Sequence, residues 1–195
     1  MNLNSSTQQN LYEHQEIFNH LSKLYLNNKL PNKILLSGEK GIGKATLGYH
    51  LINFVLSEDE EHSYDVENNK INLENKSFKL IQNKSNPNFN LIDVAEDKKN
   101  IDINQIRELI VNLNKSSFNN KKRFVLIDNI ELLNLNSINA LLKVLEEPNE
   151  NINFILINNN KRVLPTLKSR CLNFKIFLTN DQSIEIVNKL INDDV

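Results

Sequence analysis

Gly38-Glu39-Lys40-Gly41-Ile42-Gly43-Lys44-Ala45-Thr46 decides how this chain is read. The stretch follows the phosphate-binding pattern Gly-x4-Gly-Lys-[Ser/Thr] up to its last position. Gly38, Gly41 and Gly43 let the backbone bend until its N–H groups face a phosphate. Lys44 is the side chain that reaches the β- and γ-phosphates, and the residue after it normally holds Mg²⁺ through a hydroxyl. Ala45 offers only a methyl group there. Thr46 carries a hydroxyl, but one helical step further on it points about 100° away. The loop reads as able to hold phosphate and poorly equipped to catalyse its transfer. Gly38, Gly41, Gly43, Lys44 and Thr46 are the nucleotide-contact candidates.

The flanks supply the context the motif requires. Lys33-Ile-Leu-Leu-Ser37 is a short apolar run that reads as a buried strand. Residues 44–56 read as a helix with Leu47, Leu51, Ile52 and Val55 on one face. Upstream, Leu11, Ile17, Leu21, Leu24 and Tyr25 predict a helix over 11–27, ended before Pro31. Downstream, residues 57–86 turn acidic and then rich in Asn, Lys and Ser, which predicts a surface insertion, with room for one weak hairpin. Further strands are expected at 89–93, 123–128, 153–157 and 172–177. Helices are expected at 103–113, 137–147 (stopped by Pro148), 163–168 and from a cap at Thr179-Asn180-Asp181 onward.

This alternation predicts an α/β fold: a five-stranded, mostly parallel sheet with helices on both faces. Ligands in such folds sit at the carboxyl ends of the strands. Residues 38–44, Asp128 and Asn158 fall there. Phe124-Val-Leu-Ile-Asp128 is an apolar strand ending in the carboxylate that a phosphate-loop enzyme uses to position Mg²⁺. The neighbour that would polarise water is Asn129, which has no basic carboxylate; Glu131 two residues on reads as part of the next turn, with a displaced base as the open alternative.

Composition narrows the class. The chain has 195 residues, 24 acidic against 23 basic side chains and a net charge of −1, so no global basic field drives nucleic-acid binding. Lys98-Lys99 and Lys121-Lys122-Arg123 read as solvated surface rather than a DNA contact. No apolar run reaches the roughly 18 residues of a membrane helix. The polar start, residues 1–10, has no apolar signal core, and the single cysteine, Cys171, excludes an internal disulfide. A cytoplasmic location is expected.

Two further stretches carry the most specific signal. Asn139-Ala-Leu-Leu-Lys-Val-Leu-Glu-Glu-Pro148 is, by periodicity, a core helix. Leu164-Pro-Thr-Leu-Lys-Ser-Arg-Cys171 is a short helix with a basic end. Both closely resemble the delta-prime subunit family of the bacterial DNA polymerase III clamp loader, within the clamp-loader branch of AAA+ proteins. The resemblance extends to His14, residues 38–47, 101–107 and the strand at 123–128, and covers most of the chain outside 57–86.

The resemblance implies an AAA+ phosphate-loop NTPase fold: a core over 1–177 with 57–86 as a variable insertion, and the beginning of a small helical lid over 178–195 without the family's collar domain. It implies that Arg170 of Ser-Arg-Cys is an arginine finger supplied in trans to the nucleotide of an adjacent subunit. Physics alone reads Arg170 as an ordinary cation at a helix C-terminus. Asn158 falls near the family's polar sensor, with Asn159 and Asn160 leaving the exact residue open. The four-cysteine zinc module of many relatives has no counterpart here, so no zinc is expected. Ala45 and Asn129 depart from active members in the direction of the non-hydrolysing delta-prime type.

The expected function is therefore that of a delta-prime-like subunit that helps load the sliding clamp on primed DNA during replication. ATP is its candidate nucleotide, with weak or no intrinsic hydrolysis and no polymerisation. Its expected partners are gamma/tau- and delta-type subunits, with clamp and DNA reached through the complex and no membrane. Two alternatives stay open: an active gamma-type clamp-loader ATPase, and a degenerate AAA+ interaction module in repair.

Overall fold

The computed structural model describes residues 4–95, 97–115, 121–146, 150–159 and 163–193. The chain divides into two compact units. One, from Pro31–Lys40 and Asn86–Lys175, is built on a sheet. The other, from Met1–Leu30, Gly41–Ser85 and Ile176–Val195, is helical.

The sheet has five strands: β1 (Lys33–Gly38), β2 (Phe89–Ile92), β3 (Arg123–Ile127), β4 (Ile152–Asn159) and β5 (Leu172–Lys175). Their order is β2-β3-β4-β1-β5, and every pairing is parallel. The expected five-stranded α/β sheet is thus present, wholly rather than mostly parallel. Leu35, Val125, Ile127, Phe154 and Leu156 pack with Ile106, Leu109 and Leu113 of α4 (Ile103–Leu113) and with Leu141 and Leu145 of α5 (Leu135–Glu146). The alternate residues Ile34, Leu36, Phe124, Leu126, Ile155 and Ile157 are buried as well. That two-sided burial is why these strands read as continuous apolar runs. α6 (Pro165–Lys168) is a single turn before β5. Pro148, the expected stop of α5, lies outside the described residues.

Arg123 corrects the reading of the 121–123 cluster as solvated. It is buried, and its guanidinium donates to the carbonyls of Asn112 (2.7 Å), Leu113 (3.0 Å) and Lys115 (3.1 Å). These carbonyls lie at and just beyond the carboxyl end of α4, where a cation also meets the negative end of the helix dipole.

The helical unit comprises α1 (Gln15–Leu26), α2 (Lys44–Leu56), α3 (Lys76–Gln82) and α7 (Asn180–Asp193). α1 and α3 pack on α2. At α7 the expected cap forms: Gln182 N donates to Thr179 Oγ1, and Thr179 N donates to Gln182 Oε1. Ile184, Val187 and Ile191 of that helix are exposed, while Ile186 and Leu190 are half-buried.

Residues 57–86 are more than a surface insertion. A small antiparallel bridge, Asp65 with Lys70, supplies the weak hairpin. The tract also holds α3 and buries Tyr64, Ile71, Phe78 and Ile81. Asn75 caps α3 by accepting from Phe78 N (2.7 Å), and accepts from Asn53 Nδ2 of α2 (3.0 Å). Glu60 accepts from both the amide and the hydroxyl of Ser77. Buried, satisfied amides of this kind fix one register of the insertion on α2. Among the described residues, no group of three or more His, Cys, Asp or Glu is arranged to hold a metal ion.

His50 sits at the centre of this tether. It is fully buried, with Nε2 3.2 Å from the Gln8 carbonyl and Nδ1 2.8 Å from the Tyr64 hydroxyl. A carbonyl can only accept, so Nε2 carries the proton and Nδ1 accepts from Tyr64. Burial pushes the imidazole down to about 4 from its usual 6.5. Protonation therefore favours the unfolded chain. The stability due to neutral His50 is complete above pH 6.5 and is lost as pH falls toward 4. Between pH 7.5 and 4.5 this costs about 2–3 kcal/mol at ~1.4 kcal/mol per unit. Urea unfolding across that range should show the loss in the native chain and a correspondingly smaller one in His50→Asn.

Candidate functional site

The glycine loop is shaped by steric necessity. Gly41 and Gly43 have φ of +86° and +87°, a left-handed conformation that costs an L side chain roughly 1–2 kcal/mol. At Gly41 an added Cβ would meet nothing within 4 Å. At Gly43 it would come within 3.2 Å of His14 Nε2. That nitrogen lies 2.5 Å from the Ile42 carbonyl, so it donates to the loop backbone. His14 is buried, which lowers its pKa below the usual value and keeps it neutral, the state in which this bond needs no counter-charge. His14 thus braces the loop from the entry to α1.

Gly43 is the N-cap of α2 and, having no side chain, brings no capping oxygen of its own. The amides of its first turn are the donors a phosphate takes, with the positive end of the helix dipole behind them. Lys44 opens the helix and is buried; Ala45 and Thr46 follow half-buried. Left-handed glycines, a helix start whose N-cap is a glycine and a buried lysine fit a phosphate group. Ala45 supplies no oxygen for Mg²⁺.

In the sheet unit, parallel register brings Gly38, Asp128 and Asn158 to one edge. Ser37 pairs with Asn158 and Gly38 with Asn159, while Asp128 directly follows Ile127, the last residue of β3. The Asp128 carboxylate accepts from the amide of Asn129 at 2.7 Å. Asn129 itself is left-handed, φ +54°, which its side chain tolerates better than most.

A polar chain runs along this edge that sequence reading missed. Asn129 Nδ2 donates to Asp93 Oδ1 (2.8 Å), and Asn129 Oδ1 accepts from Asn159 Nδ2 (2.8 Å). The Asn159 amide donates to Glu131 Oε2 (3.2 Å). The Asp93 carbonyl accepts from Gln105, which also closes the capping box of α4. Of the three asparagines at the sensor position, Asn158 is buried opposite Ser37 and Asn159 reaches Asn129; Asn160 lies outside the described residues. An amide at 129 can both donate and accept, so it joins Asp93 to Asn159, whereas an ionised carboxylate there would only accept.

Arg170 is not brought to that edge. It precedes β5, whose Leu172 pairs with Ile34 near the amino end of β1. Four strand positions separate Ile34 from Gly38, roughly 13 Å at ~3.3 Å per residue. At its neighbour Cys171, burial pushes the thiol up to about 11, which disfavours the thiolate.

A family model described as DNA polymerase III, delta subunit, matches residues 13–179. Among curated proteins, the chain is 31% identical over 157 residues to DNA polymerase III subunit gamma of Buchnera aphidicola subsp. Schizaphis graminum. That match covers 80% of this chain and 41% of the relative. It is 32% identical over 139 residues to subunit delta' of Pseudomonas aeruginosa, covering 71% of this chain and 40% of the relative. The chain therefore spans about two fifths of the length of these relatives. Among solved structures, a gamma subunit-related protein of Thermotoga maritima superposes with a TM-score of 0.54 at 22% identity. The superposition covers 83% of this chain and 47% of that one.

Proposed function

The chain belongs to the DNA polymerase III delta-subunit family, clamp-loader subunits with the AAA+ α/β fold, and from that premise we propose that it acts as a delta-prime-like stator. In this reading it helps load the sliding clamp on primed DNA in the cytoplasm, within a complex of gamma/tau- and delta-type subunits. Gly41, Gly43, Lys44 and the first-turn amides of α2 would hold the phosphates of ATP. Ala45 and Asn129 leave hydrolysis in this chain weak or absent, since neither a Mg²⁺-binding hydroxyl nor a carboxylate base stands at those positions. Arg170 would act on the neighbour's nucleotide.

One observation carries the proposal: Arg170 lies at the amino end of the sheet, away from the edge that holds Gly38 and Asp128, and so suits a site outside its own chain better than one within it. Hydrolysis by the chain alone and by the reconstituted complex separates the readings. A stator adds rate only to the complex. Mg²⁺-dependent turnover by the isolated chain, abolished by Lys44→Ala, would instead make it a gamma-type ATPase. For the described residues, no helix is long and apolar enough to cross a membrane.

A further inference from the structure

Arg170 does not stand alone at the end of α6. Its Nε donates to Glu146 Oε1 at 3.1 Å, and its Nη2 donates to the same oxygen. Its Nη1 donates to the Thr166 carbonyl at 2.6 Å. Glu146 is the last residue of α5, so the clamp joins two elements of the sheet unit that are 24 residues apart in sequence. We infer that Glu146 is the positioning residue of Arg170: it grips the Nε–Nη2 side of the guanidinium and leaves one N–H on each of Nη1 and Nη2 for a phosphoryl group. The inference rests on Arg170 being the trans finger proposed above.

The energetics favour orientation over stability as the role of this contact. The Arg170 side chain is 32% exposed and that of Glu146 54%, a regime in which an ion pair adds little to folding. A free arginine on four rotatable bonds rarely presents its fork in one direction. Anchoring at Nε, Nη2 and Nη1 removes most of that freedom before the partner arrives. Three of the five guanidinium N–H groups are then committed among the described residues, and the other two are the donors a bidentate contact needs. Catalysis by a fixed charge depends on such placement, since misplacement by about 1 Å costs on the order of 10²-fold.

The test is ATP hydrolysis by the reconstituted clamp-loader complex carrying Glu146→Gln, Arg170→Ala or both. Glu146→Gln keeps shape and loses charge. It should lower kcat at the site this chain completes by between about 10- and 100-fold. KM, complex assembly and the melting temperature should stay unchanged. Glu146→Asp should recover part of the rate, and the double variant should be no slower than Arg170→Ala. A wild-type rate in Glu146→Gln beside a slow Arg170→Ala would overturn the positioning role and leave the finger intact. A faster rate would make Glu146 an inhibitory counter-ion, and additive losses would separate the two residues; each rejects the inference. An unchanged rate in Arg170→Ala would reject the finger itself.

Discussion

Arg170→Ala is expected to slow ATP hydrolysis at the neighbouring subunit's site by ~10³-fold or more, the range in which trans arginine fingers act. The reason is electrostatic. As the γ-phosphoryl bond loosens, negative charge spreads over its oxygens, and a guanidinium already in place stabilises that charge without reorganising. Lysine is a poor replacement because it is a point charge on a flexible stem and cannot span two oxygens, so Arg170→Lys should recover little. Only the interface this chain completes loses its finger. Single-turnover hydrolysis in the assembled complex should therefore split into a fast phase from the other sites and a slow one from this site. A trace that stays identical to the native complex would remove Arg170 from the mechanism.

The largest stability effect is expected at Phe18, which is fully buried in α1. Its ring lies 5.0 Å from that of Tyr64 and 5.8 Å from that of Phe54, centroid to centroid. Phe54 and Tyr64 also meet edge to face at 6.0 Å. Such a cluster combines area burial with favourable ring geometry. Phe18→Ala should destabilise by about 3–5 kcal/mol, since the rigid rings around it cannot collapse into the space. For a chain of this size that corresponds to a fall in Tm of about 6–20 °C. Calorimetry on Phe18→Ala and Phe18→Leu would measure it. A loss below about 1 kcal/mol in Phe18→Ala would mean the insertion's Tyr64 is not packed on α1 as described.

Much of the fold could be read in advance because the strands are buried on both faces. Lys33-Ile-Leu-Leu-Ser37 and Arg123-Phe-Val-Leu-Ile-Asp128 show no alternation to confuse with a helix, and both are strands. α2 was legible to its ends, opened by the glycine loop and stopped at Leu56. α3 was not: it is seven residues long inside a polar tract, and its partners Asn53 and Glu60 are distant in sequence. Arg123 reads as one more basic residue until the carbonyls of α4 are seen around it. At the candidate site the glycines and Lys44 announce themselves by spacing. Asn129 does not, because what it joins, Asp93 just after β2 and Asn159 at the end of β4, lies 36 and 30 residues away. Nor does spacing separate Asn158 from Asn159. That distinction follows from the strand register, which sets what each side chain meets.

The strand order carries a cost during synthesis. Among the described residues β1 pairs with β4 and β5, and Lys33 waits for Phe154, 121 residues later by the difference of their numbers. At ~5–20 residues per second a ribosome needs about 6–24 s to make that stretch. For that time an apolar strand has emerged while its hydrogen-bonding neighbours do not yet exist. β2 and β3, by contrast, can meet soon after Ile127 is made. The sheet therefore closes last at its β1–β5 end, and the nascent chain's exposure to chaperones and misassembly is concentrated on residues 33–38.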